Sequence, residues 1–265
     1  MLKELLIKAF TDMYRSVCMA NIYENNRKDC QYVHSTSLGH QAIQLATAYN
    51  LTSIDYVSPY YRDESILLGI GFTPEDLMKQ LLAKADDYFS GGRSYYSHPS
   101  SNLDDKPTII HQSSATGMQL IPSTGIAKGI QYMQQIGKLN TTPVIICSLG
   151  DASITEGEAS EAFQNAILYK LPVIYLVQNN NWGISVTAEE ARVASAVEYA
   201  KGFPGLSTME IDGTDFELSY YTMQEAIEAV RNNEGPLLIQ ANVPLLGHHT
   251  SGVRKEFYRT AQELV

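Results

Sequence analysis

The chain is short of cysteine and of cations and has no long apolar run, and each shortage narrows what it can be. Cysteine occurs only at Cys18, Cys30 and Cys147, intervals unlike any metal-binding spacing. Cys147 falls inside the apolar run 144–149, where a reduced and buried thiol is expected, and such sparing use suits a reducing, intracellular compartment. Lys and Arg number 19 against 29 Asp and Glu, a formal net charge of −10, so nucleic acid has no electrostatic support as a partner. No apolar segment approaches the roughly 20 residues that span a bilayer, and no membrane association is expected. The opening MLKELLIKAFTDMYRSV lacks the compact apolar core and small-residue cleavage site of a secretory signal. It reads instead as an amphipathic surface helix of a cytoplasmic protein, with Leu2, Leu5, Leu6, Ala9, Phe10 and Met13 on one face. Neither an internal repeat nor a low-complexity linker is visible.

What is present is an ordinary globular composition, 44% hydrophobic and 18% charged. Helices are expected over 1–25, 39–50 and 73–84, the last opened by Thr-Pro-Glu-Asp. Residues 88–106, rich in Gly, Ser, Tyr and Asn, are too long for an ordinary connection, and such loops are often functional. After it, strand-length apolar runs at 143–149, 172–177, 208–211 and 236–241 alternate with helical periodicity at 122–136, 156–169, 188–200 and 216–232. The small residues Ser123, Gly125, Ala127 and Gly129 suggest that one of these helices packs closely on another. Strands apolar on both faces and separated by helices indicate α/β architecture, a doubly wound parallel sheet with helices on both faces. The expected organisation is a helical N-terminal region over 1–85 that packs on an α/β domain over 86–265, the two forming one continuous domain.

In such sheets ligands bind beyond the carboxyl ends of the strands. Gly150-Asp151-Ala152-Ser153 follows one apolar run, and Asn179-Asn180-Asn181-Trp182 follows the next. A carboxylate opposite a carboxamide offers two hard oxygens, the donors magnesium prefers when it is shared with a substrate phosphate. The main-chain carbonyl of Trp182 is a third candidate, and the helix beginning near Ile154 offers free N–H groups to an anion. Each residue also has a plainer reading. Asp151 alone would be a helix N-cap, the asparagines a left-handed turn, Arg62 a surface ion-pair residue, and His248 and His249 idle loop residues. His34, His40 and His111 read as structural or surface residues.

The stretch SLGDASITEGEASEAFQNAILYKLPVIYLVQNNNWGIS resembles the α subunit of the E1 component of 2-oxo acid dehydrogenases, a thiamine-diphosphate-binding fold. Three more segments share the resemblance in the same order: Pro59-Tyr60-Tyr61-Arg62-Asp63, Gly91-Gly92-Arg93 with His98, and Gly247-His248-His249 with Phe257-Tyr258-Arg259. The His-His pair is closest to the branched-chain members. The resemblance implies thiamine diphosphate and Mg2+ as cofactors. It makes Asp151 and Asn180 metal ligands through their side chains and Trp182 one through its carbonyl. It places Tyr61, Arg62, Ser114, Gly150, Asp151, Ala152, Ser153, Asn180 and His249 on the cofactor, with Met118 wedged between its two rings. It also makes His249, with His248 beside it, catalytic. Two residues depart from the pattern: Ala152 replaces the commonest glycine, and Gln178 stands where branched-chain members carry an arginine.

The implied activity is oxidative decarboxylation of a branched-chain 2-oxo acid or pyruvate, with reductive acylation of a lipoyl domain. The glutamate that promotes ylid formation belongs to the β subunit in this family, and no segment here matches that part. The chain is therefore expected to be inactive without an E1 β subunit or a fused β domain. Its further partners would be a lipoyl-bearing E2 transacylase and a second α–β unit in a homodimer. Family α subunits continue beyond the position of Val265. The alternatives are another thiamine-diphosphate enzyme of the transketolase or decarboxylase type, or a non-catalytic assembly module.

Overall fold

The structure, a computed structural model, describes residues 2–264; the expected domain limits at residues 1 and 265 lie outside the described residues. Its elements run α1 Leu2–Asn25, α2 Gln41–Asn50, β1 Tyr56–Ser58, α3 Glu64–Gly69, α4 Pro74–Leu81, β2 Thr108–Ile109, α5 Leu120–Gln135 and β3 Ile145–Gly150. They continue with α6 Gly157–Tyr169, β4 Val173–Asn179, β5 Trp182–Gly183, β6 Val186–Thr187, α7 Ala188–Ala191, α8 Ala196–Ala200, β7 Ser207–Asp212, α9 Phe216–Arg231 and β8 Leu237–Asn242.

Six strands form one sheet in the order β2-β1-β3-β4-β8-β7, and every pairing is parallel. The central strands alternate their side chains between two cores. Ile146, Ile174, Leu176 and Ile239 pack with Met19, Ile43 and Met223. Ile145, Cys147, Val173, Tyr175 and Leu238 pack with Leu120, Ala162 and Ala200. Helices therefore cover both faces, the doubly wound arrangement that two-sided apolar strands require. β1 leads to β2 on one side while β3 leads to β4 on the other, which makes their carboxyl ends a switch point where a crevice opens.

Several elements depart from the sequence pattern. β1 and β2 join the main sheet, so the sheet crosses the expected boundary at residue 85. The expected helix 188–200 is two short helices, α7 and α8, each opened by a capping box, Thr187 with Glu190 and Ser195 with Glu198. In α1 the buried face is Ala9, Asp12, Ser16, Met19, Ala20 and Tyr23, whereas Leu2, Leu6 and Phe10 are exposed. Asp12 rotates that face: its carboxylate accepts from Tyr49 Oη at 2.7 Å and pairs with Lys8 and Arg15. Of the small residues in α5, Ser123 and Ala127 are buried while Gly125 and Gly129 face outward, with no neighbour within 4 Å of an added Cβ. Among the described residues, no helix is long and apolar enough to cross a membrane.

Candidate cofactor site

A cavity of about 530 Å³ opens beyond the carboxyl ends of β1, β3 and β4, and the segment after β8 closes it. From the β1 end come Tyr60, Tyr61 and Arg62; from β3, Gly150, Asp151, Ala152 and Ser153; from β4, Asn180 and Trp182; and from the last segment, His249. The loop 88–106 contributes Tyr95, Tyr96 and His98, and Ser114 and Gly117 complete the wall. The structure thus brings together most of the residues singled out in the sequence, and it leaves two outside. Met118 is exposed and absent from the lining, because the turn closed by Met118 N–H on Ala115 O presents Thr116 and Gly117 inward instead. His248 turns away from its neighbour toward Glu256 (3.4 Å) and Glu24 (4.0 Å), and only His249 reaches the cavity.

Arg62 is buried behind His249 and donates through Nη2 to the His249 carbonyl at 3.1 Å, while its Nε is buried without a partner. Burial, aided by the Arg62 charge, pushes the His249 imidazole down to about 4, so it is neutral at physiological pH. Tyr61 Oη lies 3.3 Å from His249 Nε2. His98 donates from Nδ1 to Tyr96 O (2.9 Å), which leaves Nε2 to accept from Ser114 Oγ at 3.0 Å. Behind this wall the Tyr96 hydroxyl donates to the buried Glu64 carboxyl, whose Oε1 has no partner, and burial raises that carboxyl to about 7.

Asp151 and Asn180 carry the site's chemistry. Asp151 sits in a short 3-10 turn, Asp151–Thr155, directly after β3, and burial raises its carboxyl. Its buried Oδ2 forms an ion pair with the Arg192 guanidinium. Arg192 comes from the end of α7, is held by Asn179 Oδ1 at 3.0 Å, and has a buried Nη1 without a partner. Asn180 Oδ1 accepts from Trp182 N–H at 3.1 Å, and its Nδ2 meets His40 Nε2 at 3.3 Å. His40 is fully buried, neutral because burial lowers it to about 3, and linked through Nδ1 to Gln178 Oε1 at 2.8 Å. A buried carboxylate oxygen now paired only with a guanidinium that a cation could replace, beside a carboxamide oxygen with a second lone pair, is a donor pair suited to a hard divalent cation. Among the described residues no three His, Cys, Asp or Glu side chains cluster as a metal site. An ion at Asp151 would draw its remaining ligands from Asn180, a main-chain carbonyl and an anionic ligand.

Sequence reasoning missed Arg192 and left Gln178 and His40 without a task. Gln178 had a usable signal: it is the first polar residue after the apolar run Val173–Val177, at a buried strand end. Arg192 had none, since its meeting with Asp151 is purely tertiary.

The sequence profile described as dehydrogenase E1 component matches residues 10–265. The mitochondrial 2-oxoisovalerate dehydrogenase subunit alpha 2 of Arabidopsis thaliana is 30% identical over 264 residues, 99% of this chain and 54% of that protein. The 2-oxoisovalerate dehydrogenase subunit alpha of Bacillus subtilis is 31% identical over 96% of this chain and 76% of its own length. The pyruvate dehydrogenase E1 component subunit alpha of the same bacterium is 28% identical over 89% of this chain and 59% of its own. The chain therefore spans between about half and three quarters of these relatives. Among solved structures, transketolase from Campylobacter jejuni superposes with a TM-score of 0.65 at 19% identity, covering 90% of this chain and 37% of that one. That likeness concerns the fold alone.

Proposed function

This chain belongs to the dehydrogenase E1 component family, and from that membership and the cavity's geometry we propose that it is the α-type part of a thiamine-diphosphate- and magnesium-dependent 2-oxo acid dehydrogenase. The observation that carries the reading is the convergence of Asp151, Asn180, Arg62 and His249 on one cavity at the switch point of the sheet. Thiamine diphosphate, when bound, supplies the thiazolium carbon at which the 2-oxo acid is decarboxylated.

This chain's residues hold and orient. The Asp151 carboxylate and the Asn180 carboxamide oxygen would hold Mg2+ together with the Trp182 carbonyl, the cation taking the place beside Asp151 Oδ2 that Arg192 now fills. Arg62, already buried at the wall with a free Nε, presents its planar fork to the diphosphate. Ser114, Gly150, Ala152 and Ser153 line the same path. His249, neutral and steadied by Tyr61, holds or moves a proton near the reacting centre. Tyr60, Tyr61 and Trp182 keep water from it. Met118 and His248 have no part in this arrangement.

The carboxylates lining the cavity are Asp151 and Glu156, and neither is assigned the role of activating the aminopyrimidine. That glutamate comes from an E1 β subunit or a fused β domain, so the chain alone is inactive. The acyl group passes to a lipoyl-bearing E2 transacylase, and α–β units pair as a homodimer in the cytoplasm. Both 2-oxoisovalerate and pyruvate dehydrogenase subunits are among the relatives, and the His248-His249 pair favours a branched-chain acid. A turnover assay with a β part and a lipoyl acceptor is expected to be fastest with 2-oxoisovalerate. Turnover of sugar phosphates and not of 2-oxo acids would overturn the assignment.

A further inference from the structure

Five buried side chains form a continuous hydrogen-bonded line from the Tyr61-Arg62 segment to Asn180. Asp63, next to Arg62, accepts from Tyr60 N–H at Oδ2 (2.9 Å) and from Gln178 Nε2 at Oδ1 (2.6 Å). Gln178 Nε2 also donates to Ser148 Oγ at 2.9 Å, so this end of its amide is committed as donor. Gln178 Oε1 must then accept, and it takes Gln44 Nε2 and His40 Nδ1, both at 2.8 Å. His40 therefore donates from Nδ1, and because Asn180 Oδ1 is taken up by the Trp182 N–H, the neutral buried ring meets Asn180 with the Nε2 lone pair. That lone pair accepts only from a donor, so the group 3.3 Å away is the NH2 of Asn180. The carboxamide oxygen is left on the other side, at the Trp182 amide and the cavity.

We infer that His40 is a positioning residue for the metal site, fixing the Asn180 carboxamide so that Oδ1, and not Nδ2, faces the cation. This rests on the metal reading of Asp151 and Asn180 given above. The direction of the line is set at its far end, where the Asp63 carboxylate, raised by burial to about 6 and so ionised at neutral pH, accepts from Gln178 Nε2 and turns Gln178 Oε1 toward His40. The same line reaches the Arg62 segment, whose carbonyl accepts from Gln44 Nε2 at 3.2 Å. The support has little slack: His40, Gln44, Ser148, Gln178 and Asp63 are all buried. His40 is held at the start of α2 by Gly39, where φ is +92° and an added Cβ would lie 1.9 Å from Pro244 O. Partners that orient a metal ligand typically matter 10–100-fold in metal affinity.

The test is Mn2+ binding to the full-length protein in the presence of thiamine diphosphate, read from the free-Mn2+ electron paramagnetic resonance signal. His40→Leu removes the acceptor and is expected to weaken Mn2+ binding by about 10-fold or more. His40→Gln, which can both accept from Asn180 and donate to Gln178, is expected to return to within about 3-fold of the parent. Unchanged affinity in His40→Leu would overturn the inference, as would a folded His40→Gln as weak as His40→Leu. A second measurement needs no variant. Nitrogen-15 spectra of the histidine-labelled parent protein are expected to show His40 protonated on Nδ1, and a proton on Nε2 would overturn the inference. If the parent binds no Mn2+, or binds it equally after Asp151→Asn, the metal reading itself fails and this inference falls with it.

Discussion

Arg192 and Asp151 have side chains only 7% and 5% exposed, so their ion pair lies out of water, and among the described residues neither forms a second ion pair. Breaking a buried pair from one side leaves a bare charge, at a cost of about 3–5 kcal/mol. Arg192→Met is expected to lower stability by that order in denaturant melts, and Arg192→Met with Asp151→Leu is expected to recover most of it. Additive losses would show that the two residues are not coupled. A second contrast separates the adjacent histidines. His249→Ala is expected to reduce turnover by about 10²–10⁴-fold, the range for a positioned acid or base. His248→Ala, outside the cavity, is expected to stay within about 3-fold, since it loses only partly exposed contacts with Glu24, Glu256 and the Lys255 N–H. Equal losses at the two positions would contradict the assignment of inward and outward faces.

At the scale of elements, the hairpin of β5 and β6 and the single turn of α7 carry Arg192 to Asp151. This segment is fastened by the Thr187–Glu190 capping box and by Ala188 N–H on Asn181 O at 2.9 Å. Thr187→Ala removes the cap, worth about 1 kcal/mol, and is expected to speed amide exchange across 188–192 while α9 stays protected. Exchange unchanged in that segment would show that the box does not hold α7. The same region shows what the sequence could and could not convey. Val173–Val177 is apolar on both faces and reads as a strand without ambiguity, and Asp151 and Asn180 follow from their place after such strands. β1 and β2 are three and two residues long, too short for any period to register. The helix expected over 188–200 has continuous helical composition, yet Arg192–Ala194 breaks out of it, with Arg192 in extended backbone as the cap of α7. At that break Arg192 pairs with Asp151 and Ser195 caps the helix that follows. His40 and Gln178 were likewise visible as residues but not as partners, because α2 and β4 meet only in the folded chain.

At the scale of the whole molecule, Glu64 ties α1 to the loop 88–106 through Tyr96 and Tyr23, whose hydroxyls lie 3.1 Å apart. Its carboxyl is raised by burial from 4.5 to about 7, so the folded state holds a proton that the unfolded chain has released. Stability from this group is present below about pH 4.5 and falls as pH rises toward 7, a loss of about 3 kcal/mol. Glu64→Gln keeps the shape without the charge. The difference in stability between variant and parent is expected to grow in the variant's favour from pH 5 to pH 7.5, and a flat difference would refute the cause.

The central claim is that Asp151 and Asn180 bind the metal of a thiamine diphosphate site. The direct measurement is calorimetric titration of the protein, β part present, with thiamine diphosphate in the presence and absence of Mg2+. The account predicts saturable binding that requires Mg2+ and disappears in Asp151→Ala. Binding that is indifferent to Mg2+, or that survives Asp151→Ala, would contradict it.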